Sequence, residues 1–219
     1  MKRYLAVIIL LHYYFVCNLY SQKLSAEFHL GYADNFPSKL TIEQKGFPDI
    51  NIKAKYFSEP FISPFYWLWR VSYKRNEKSK FEFEAVHHKI YLENTNNEVE
   101  AFGISHGLNL LIFNFVRILP FNFHVNYGAG GVLAHAESTI RGRSLPEKGR
   151  GIFGMGYYMS GMALNFSAGK YFCLSNRFYV NTEIRFNPSY CVVPVVDGKA
   201  YVWNYSYQVI AGVGYFFIK

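Results

Sequence analysis

The stretch 201–217, Y-V-W-N-Y-S-Y-Q-V-I-A-G-V-G-Y-F-F, narrows what the chain can fold into. Every second residue gives Trp203, Tyr205, Tyr207, Val209, Ala211, Val213, Tyr215 and Phe217, against Asn204, Ser206, Gln208, Gly212 and Gly214. A period of two belongs to a β-strand, whose side chains alternate between faces. The apolar face is aromatic at both ends and aliphatic between. That order suits a strand crossing a bilayer, with its rings in the two headgroup layers and small polar residues turned inward. The working expectation is a strand that closes a membrane-embedded barrel.

The rest of the chain repeats the pattern. Residues 24–33 alternate Leu24, Ala26, Phe28, Leu30 and Tyr32 with Ser25, Glu27, His29 and Gly31. Residues 65–74 place Phe65, Trp67, Trp69, Val71 and Tyr73 on one face and end at the polar turn 76–79. Further strands are expected at 80–93, 99–116, 121–129, 156–170 and 177–188, the last opposing Phe178, Val180, Ile184 and Phe186 to Asn181, Glu183 and Arg185. Residues 135–154 and 189–200 read as polar loops, and 34–63 as a long, partly ordered loop whose weak alternation at 39–44 and 49–56 could extend the flanking strands above the membrane surface. Eight strands joined alternately by tight turns and longer loops make an all-β, antiparallel, up-and-down transmembrane barrel. Such a barrel is just wide enough for side chains to fill. Glu82, Glu84, His124, Asn126, Glu183 and Arg185, on the opposite faces, are the expected polar filling, which disfavours an open channel.

Tyr 19 and Phe 21 with only 17% charged residues exceed ordinary soluble usage. Lys2 and Arg3, then an apolar run to Val16 and the polar step from Asn18 to Gln22, read as a secretory signal peptide over 1–22, ahead of one barrel domain over 23–219. Without Lys2 and Arg3 the formal charge falls from +8 to +6. In a secreted protein that excess favours anionic headgroups over nucleic acid. Arg141, Arg143, Lys148 and Arg150, in one loop, are the candidates for contact with lipopolysaccharide phosphates. A strand over 177–188 would hold Cys173 and Cys191 roughly 40 Å apart, too far for a disulfide, which needs Cα atoms within about 7 Å.

With the leader, the alternating strands and the terminal Tyr215, Phe216 and Phe217, the mature chain resembles the small outer-membrane β-barrel proteins of Gram-negative bacteria. That class includes OmpA-like and OmpW-like barrels and lipid A deacylases. The resemblance implies an outer-membrane location, contact with outer-membrane lipid and lipopolysaccharide, insertion by the barrel-assembly machinery, a monomeric state and no cofactor. It does not single out a subfamily, and Ile218 and Lys219 follow the last aromatic.

The chemistry-bearing segment is E-A-V-H-H-K-I-Y-L followed by G-I-S-H-G-L-N-L. In a hairpin turning near Asn96 opposed residue numbers sum to about 192 to 194, so His87 and His88 face Ser105, His106 or Gly107. With Glu84 nearby, this set supplies a nucleophile, a base and a carboxylate for ester hydrolysis. Some lipid A deacylases carry such a set on the barrel exterior. Their His-x-Ser-Asn arrangement is absent here, where Ser105 precedes His106 and Asn109 follows. Strict alternation separates Ser105 from His106 unless a bulge intervenes; the phase change after Phe83 suggests one near 85–87, with His88 and His106 facing lipid and Ser105 the lumen. Adjacent histidines on a strand diverge, so no metal site is expected from His87, His88 and His106. The primary reading is a structural or surface- and lipid-interacting barrel. The alternatives are the esterase and a secreted lipocalin-like binder, which the uncharged, aromatic-ended 201–217 strand opposes.

Overall fold

The computed structural model describes residues 23–145 and 150–218, so the leader over 1–22 and Lys148 lie outside the described residues. In chain order the strands are β1 (Leu24–Phe36), β2 (Ser38–Gln44), β3 (Ile50–Ala54), β4 (Tyr56–Phe57), β5 (Trp67–Asn76), β6 (Ser79–Leu92), β7 (Val99–Ile118), β8 (Phe123–His135), β9 (Glu137–Ile140), β10 (Arg143–Ser144), β11 (Tyr157–Cys173), β12 (Phe178–Val195) and β13 (Gly198–Ile218). A single 3-10 turn, Pro120–Asn122, joins β7 to β8.

Antiparallel pairing runs β1 to β5, β6, β7, β8, β11, β12 and β13, and β13 pairs back with β1 from Leu24↔Ile218 to Phe36↔Tyr205. Eight strands therefore close on themselves, which removes the free sheet edges that a bilayer interior cannot solvate.

Alternation sorts the side chains as the sequence of 201–217 requires. Val202, Asn204, Ser206, Gln208 and Ile210 are buried in the lumen, whereas Trp203, Tyr207, Val209, Val213 and Phe217 are exposed on the outside. Neighbouring strands extend this apolar exterior with Phe28, Tyr32, Trp69, Val71, Phe83, Phe113, Leu164, Ile184 and Phe186. Rings pair across strands at both ends of the belt, Phe36 on Tyr207 at 5.0 Å and Phe178 on Tyr215 at 5.0 Å between centroids. On a protein in water this surface would be costly to hydrate; in hydrocarbon it is the stable arrangement.

The weak alternation within 34–63 becomes ordered strands: β2 pairs with β13 from Gly198↔Gln44 to Val202↔Leu40 and with β3, so the barrel wall continues upward as a sheet. Two expectations change. The loop expected at 189–200 is almost absent, because β12 runs to Val195 and β13 restarts at Gly198. Its alternation is hidden in sequence by Val192 to Val196, where both faces are apolar. The upper lumen, moreover, is apolar. Leu68, Val86, Ile90, Ile104, Leu108, Leu110, Ile112, Val132, Ile140, Val193 and Val202 form a buried cluster there with Leu40 and Ile42. The charged network occupies the lower storeys, while His88, Asn35 and Asn204 form a small polar group among the upper apolar side chains. Cys191 is a free, buried thiol, so it is not bonded to Cys173.

Candidate functional site

Two constellations of chemistry-bearing side chains arise from this fold. The first fills the lumen. Arg70, on the inward face of β5, is fully buried; its guanidinium contacts Glu27 at 3.0 Å, Glu82 at 3.2 Å, Glu84 at 2.9 Å and Glu183 at 2.5 Å. Arg185 pairs with Glu84 and lies 3.4 Å from Glu183. Lys80 meets Glu82 at 2.8 Å. Tyr179 donates to Glu27 at 2.8 Å and Ser72 to Glu82 at 3.0 Å. His124 contacts Asn126 at 2.8 Å and Asn181 at 3.0 Å, and Asn181 in turn donates to Glu183 at 2.8 Å.

All six residues expected in the lumen, Glu82, Glu84, His124, Asn126, Glu183 and Arg185, are buried there. The sequence reading missed the centre of the network, Arg70, and its partner Glu27. Their signal was available: a single arginine on the small polar phase of an aromatic strand has no place in lipid. Above the charges, amides continue the filling, with Asn165 donating to Asn114 at 2.9 Å and Asn187 to Asn165 at 3.1 Å. Glu27, His29 and Glu183 offer ligand atoms within 4.8 Å of one another. The Arg70 guanidinium already supplies the cation between those carboxylates.

The second constellation sits on the outside, above the apolar belt. The register places His87 opposite Asn109 and His88 opposite Leu108, then, past a bulge, Ile90 opposite Ile104. The bulge thus lies at Lys89 and 105–107 rather than at 85–87, and neither His87 nor His88 faces Ser105. Gly107 makes the bulge possible with φ of +130°, a conformation that side chains resist, and a Cβ there would come 2.5 Å from the Asn109 carboxamide. Asn109 fastens the bend, accepting from His87 Nδ1 at 2.8 Å and donating to the Leu133 carbonyl at 3.2 Å. Gly107→Ala is expected to cost about 1–3 kcal/mol through backbone strain, read as a lower urea midpoint of the folded barrel in detergent micelles; an unchanged midpoint would show that the bulge tolerates a Cβ.

The candidate catalytic residues are dispersed by this geometry. Glu84 is committed to Arg70 and Arg185 in the lumen. His88 points inward, contrary to its expected lipid-facing position, and contacts Asn35 at 3.2 Å. His87 stacks on Trp67 at 5.3 Å. Only Ser105 and His106 meet, Ser105 Oγ lying 3.1 Å from His106 Nδ1. The same Nδ1 lies 2.7 Å from Oε1 of Glu137, a residue absent from the sequence reading. A nucleophile and an orienting carboxylate must use opposite ring nitrogens, and here both use one. When Nδ1–H donates to Glu137 it cannot accept the serine proton. His135 joins this group, its ring centroid 4.8 Å from that of His106 and its Nδ1 3.7 Å from Glu137 Oε1. Tyr157 completes it, donating to the His106 carbonyl at 2.9 Å; partial burial raises its hydroxyl above the ordinary value, so it stays a donor.

The basic loop is likewise engaged. Arg141 donates to Glu98 at 2.7 Å, to Gln44 at 3.0 Å and to the Pro48 carbonyl at 2.9 Å, and Arg143 pairs with Asp197. Arg150 is exposed, at a bridge with Met155. The cations expected to face lipopolysaccharide thus partly tie the upper hairpins to one another.

No protein-family model and no curated protein matches the chain. Among solved structures it is similar to the outer membrane protein OprG from Pseudomonas aeruginosa, at 11% identity over 91% of this chain and 98% of that one, with a TM-score of 0.48. It is also similar to Ail, the attachment invasion locus protein of Yersinia pestis, at 13% identity over 88% and 99% with a TM-score of 0.40. Neisserial surface protein A is a third, at 13% identity over 89% and 96% with a TM-score of 0.39. At these identities and TM-scores no role passes from those proteins to this one.

Proposed function

We propose that the chain is an integral outer-membrane barrel that conducts nothing, holds a rigid sheet cap above the lipid and engages anionic surface groups with that cap, after delivery by a signal peptide over 1–22 and insertion by the barrel-assembly machinery. The observation that carries this reading is the filled lumen. Arg70 and its carboxylates block the lower half and Leu108, Leu110, Ile112 and their neighbours block the upper half. Lipid and lipopolysaccharide contact is supported by the cap. Lys39 and Lys53 stand directly opposite each other on β2 and β3, both exposed. Like charges in register are unfavourable on their own, and a phosphate between them removes the repulsion. Arg150 adds a further exposed cation.

Planar-bilayer recording tests the reading. The purified chain is expected to insert without stepwise conductance, whereas steady single-channel steps at neutral pH would overturn the filled-barrel function.

A further inference from the structure

We propose that His106, His135 and Glu137 form a divalent transition-metal site on the outer rim of the barrel, suited to Zn²⁺ or its borderline neighbours. The three residues come from different positions in the chain and are brought together by the fold. The bulge at 105–107 throws His106 outward from β7, His135 ends β8, and Glu137 opens β9. One ligand atom from each lies within 4.8 Å of the others. Around a tetrahedral ion with bonds of about 2.0–2.1 Å, ligand atoms stand about 3.3 Å apart. The two distances to Glu137 Oε1, 2.7 Å from His106 Nδ1 and 3.7 Å from His135 Nδ1, bracket that value.

A second, independent observation points to a ligand. His135 is 6% exposed, and its Nδ1 is buried without a hydrogen-bond partner while aimed at the Glu137 carboxylate. A buried ring nitrogen without a partner is costly, and a cation between it and the carboxylate removes that cost. The surroundings fit a held ligand set. Tyr157 packs edge-on against the His135 ring at 5.1 Å and bonds the His106 backbone, restraining both histidines. Two imidazoles and one carboxylate with a side open to the medium are a donor set that zinc accepts, leaving a position for water or an anionic oxygen. His106, with 55% of its side chain exposed, forms the open side.

Co²⁺ titration of the tag-free, metal-stripped chain in detergent micelles tests the site, followed by displacement with Zn²⁺. One equivalent is expected to give visible ligand-field absorption that Zn²⁺ abolishes. His106→Asn and Glu137→Gln, both at partly exposed positions, are expected to keep the heat-modifiable migration of the folded barrel and to bind at least about a hundredfold more weakly, because even outer-shell partners of a metal contribute about 10–100-fold. Absence of stoichiometric uptake by the parent chain, or equal uptake by both folded variants, would overturn the site.

Discussion

Arg70→Met is expected to destabilise the barrel by about 3–5 kcal/mol, the usual effect of removing one partner from a buried ion pair. The reason is arithmetic of charge in a closed space. Glu27, Glu82, Glu84 and Glu183 all contact Arg70 with side chains at 0% exposure. Without the guanidinium, Arg185 and Lys80 are, among the described residues, the arginine and lysine left to balance four carboxylates. Urea unfolding in lipid vesicles, followed by tryptophan fluorescence and by heat-modifiable migration, measures the loss. Adding Glu183→Gln and Glu27→Gln to Arg70→Met is expected to recover part of it, since replacing the charges together avoids the uncompensated state. If Arg70→Met folds with the parent's midpoint, the lumen is hydrated and the filled-barrel reading fails.

Val209→Arg should be nearly as severe for a different reason. Val209 is 56% exposed on the outside of β13, level with Tyr32 on one side and Ile184 on the other. At that height an arginine meets hydrocarbon, and midplane charges on barrel exteriors cost about 2–4 kcal/mol, against about 0–1 near the interface. Phe217→Arg, at the aromatic lower rim, is the paired control. Folding into vesicles is expected to fall sharply for the first and little for the second. Equal, small effects at both positions would mean that the exterior does not face lipid.

The sequence carried the barrel because each wall strand faces two different solvents, and alternation records that contrast directly. In β2 the alternation of Leu40 and Ile42 with Lys39 and Thr41 is present but short, and the pairing that turns it into a strand comes from β13, far along the chain. Where both faces are apolar the record fades. In the upper lumen Leu108 and Leu110 are as apolar as the lipid-facing Leu111 and Phe113, so composition could not say which face was inside. The outer-rim group was half legible. Ser105 and His106 stood out, but His135 and Glu137 arrive through β8 and β9, a contact between residues 31 apart that no local pattern announces. The bulge shifted the hairpin register by two, enough to separate His87 and His88 from Ser105.

The arginine at the top of the cap has a consequence for recognition by other molecules. Arg141 gathers Glu98, Gln44 and the Pro48 carbonyl, and Arg143 reaches Asp197 beside it. The outermost patch is therefore a mosaic of four hairpins whose residues are far apart along the chain. To an antibody it is a discontinuous epitope, formed only when the whole barrel has closed, and a linear peptide from any one hairpin would reproduce a fragment of it.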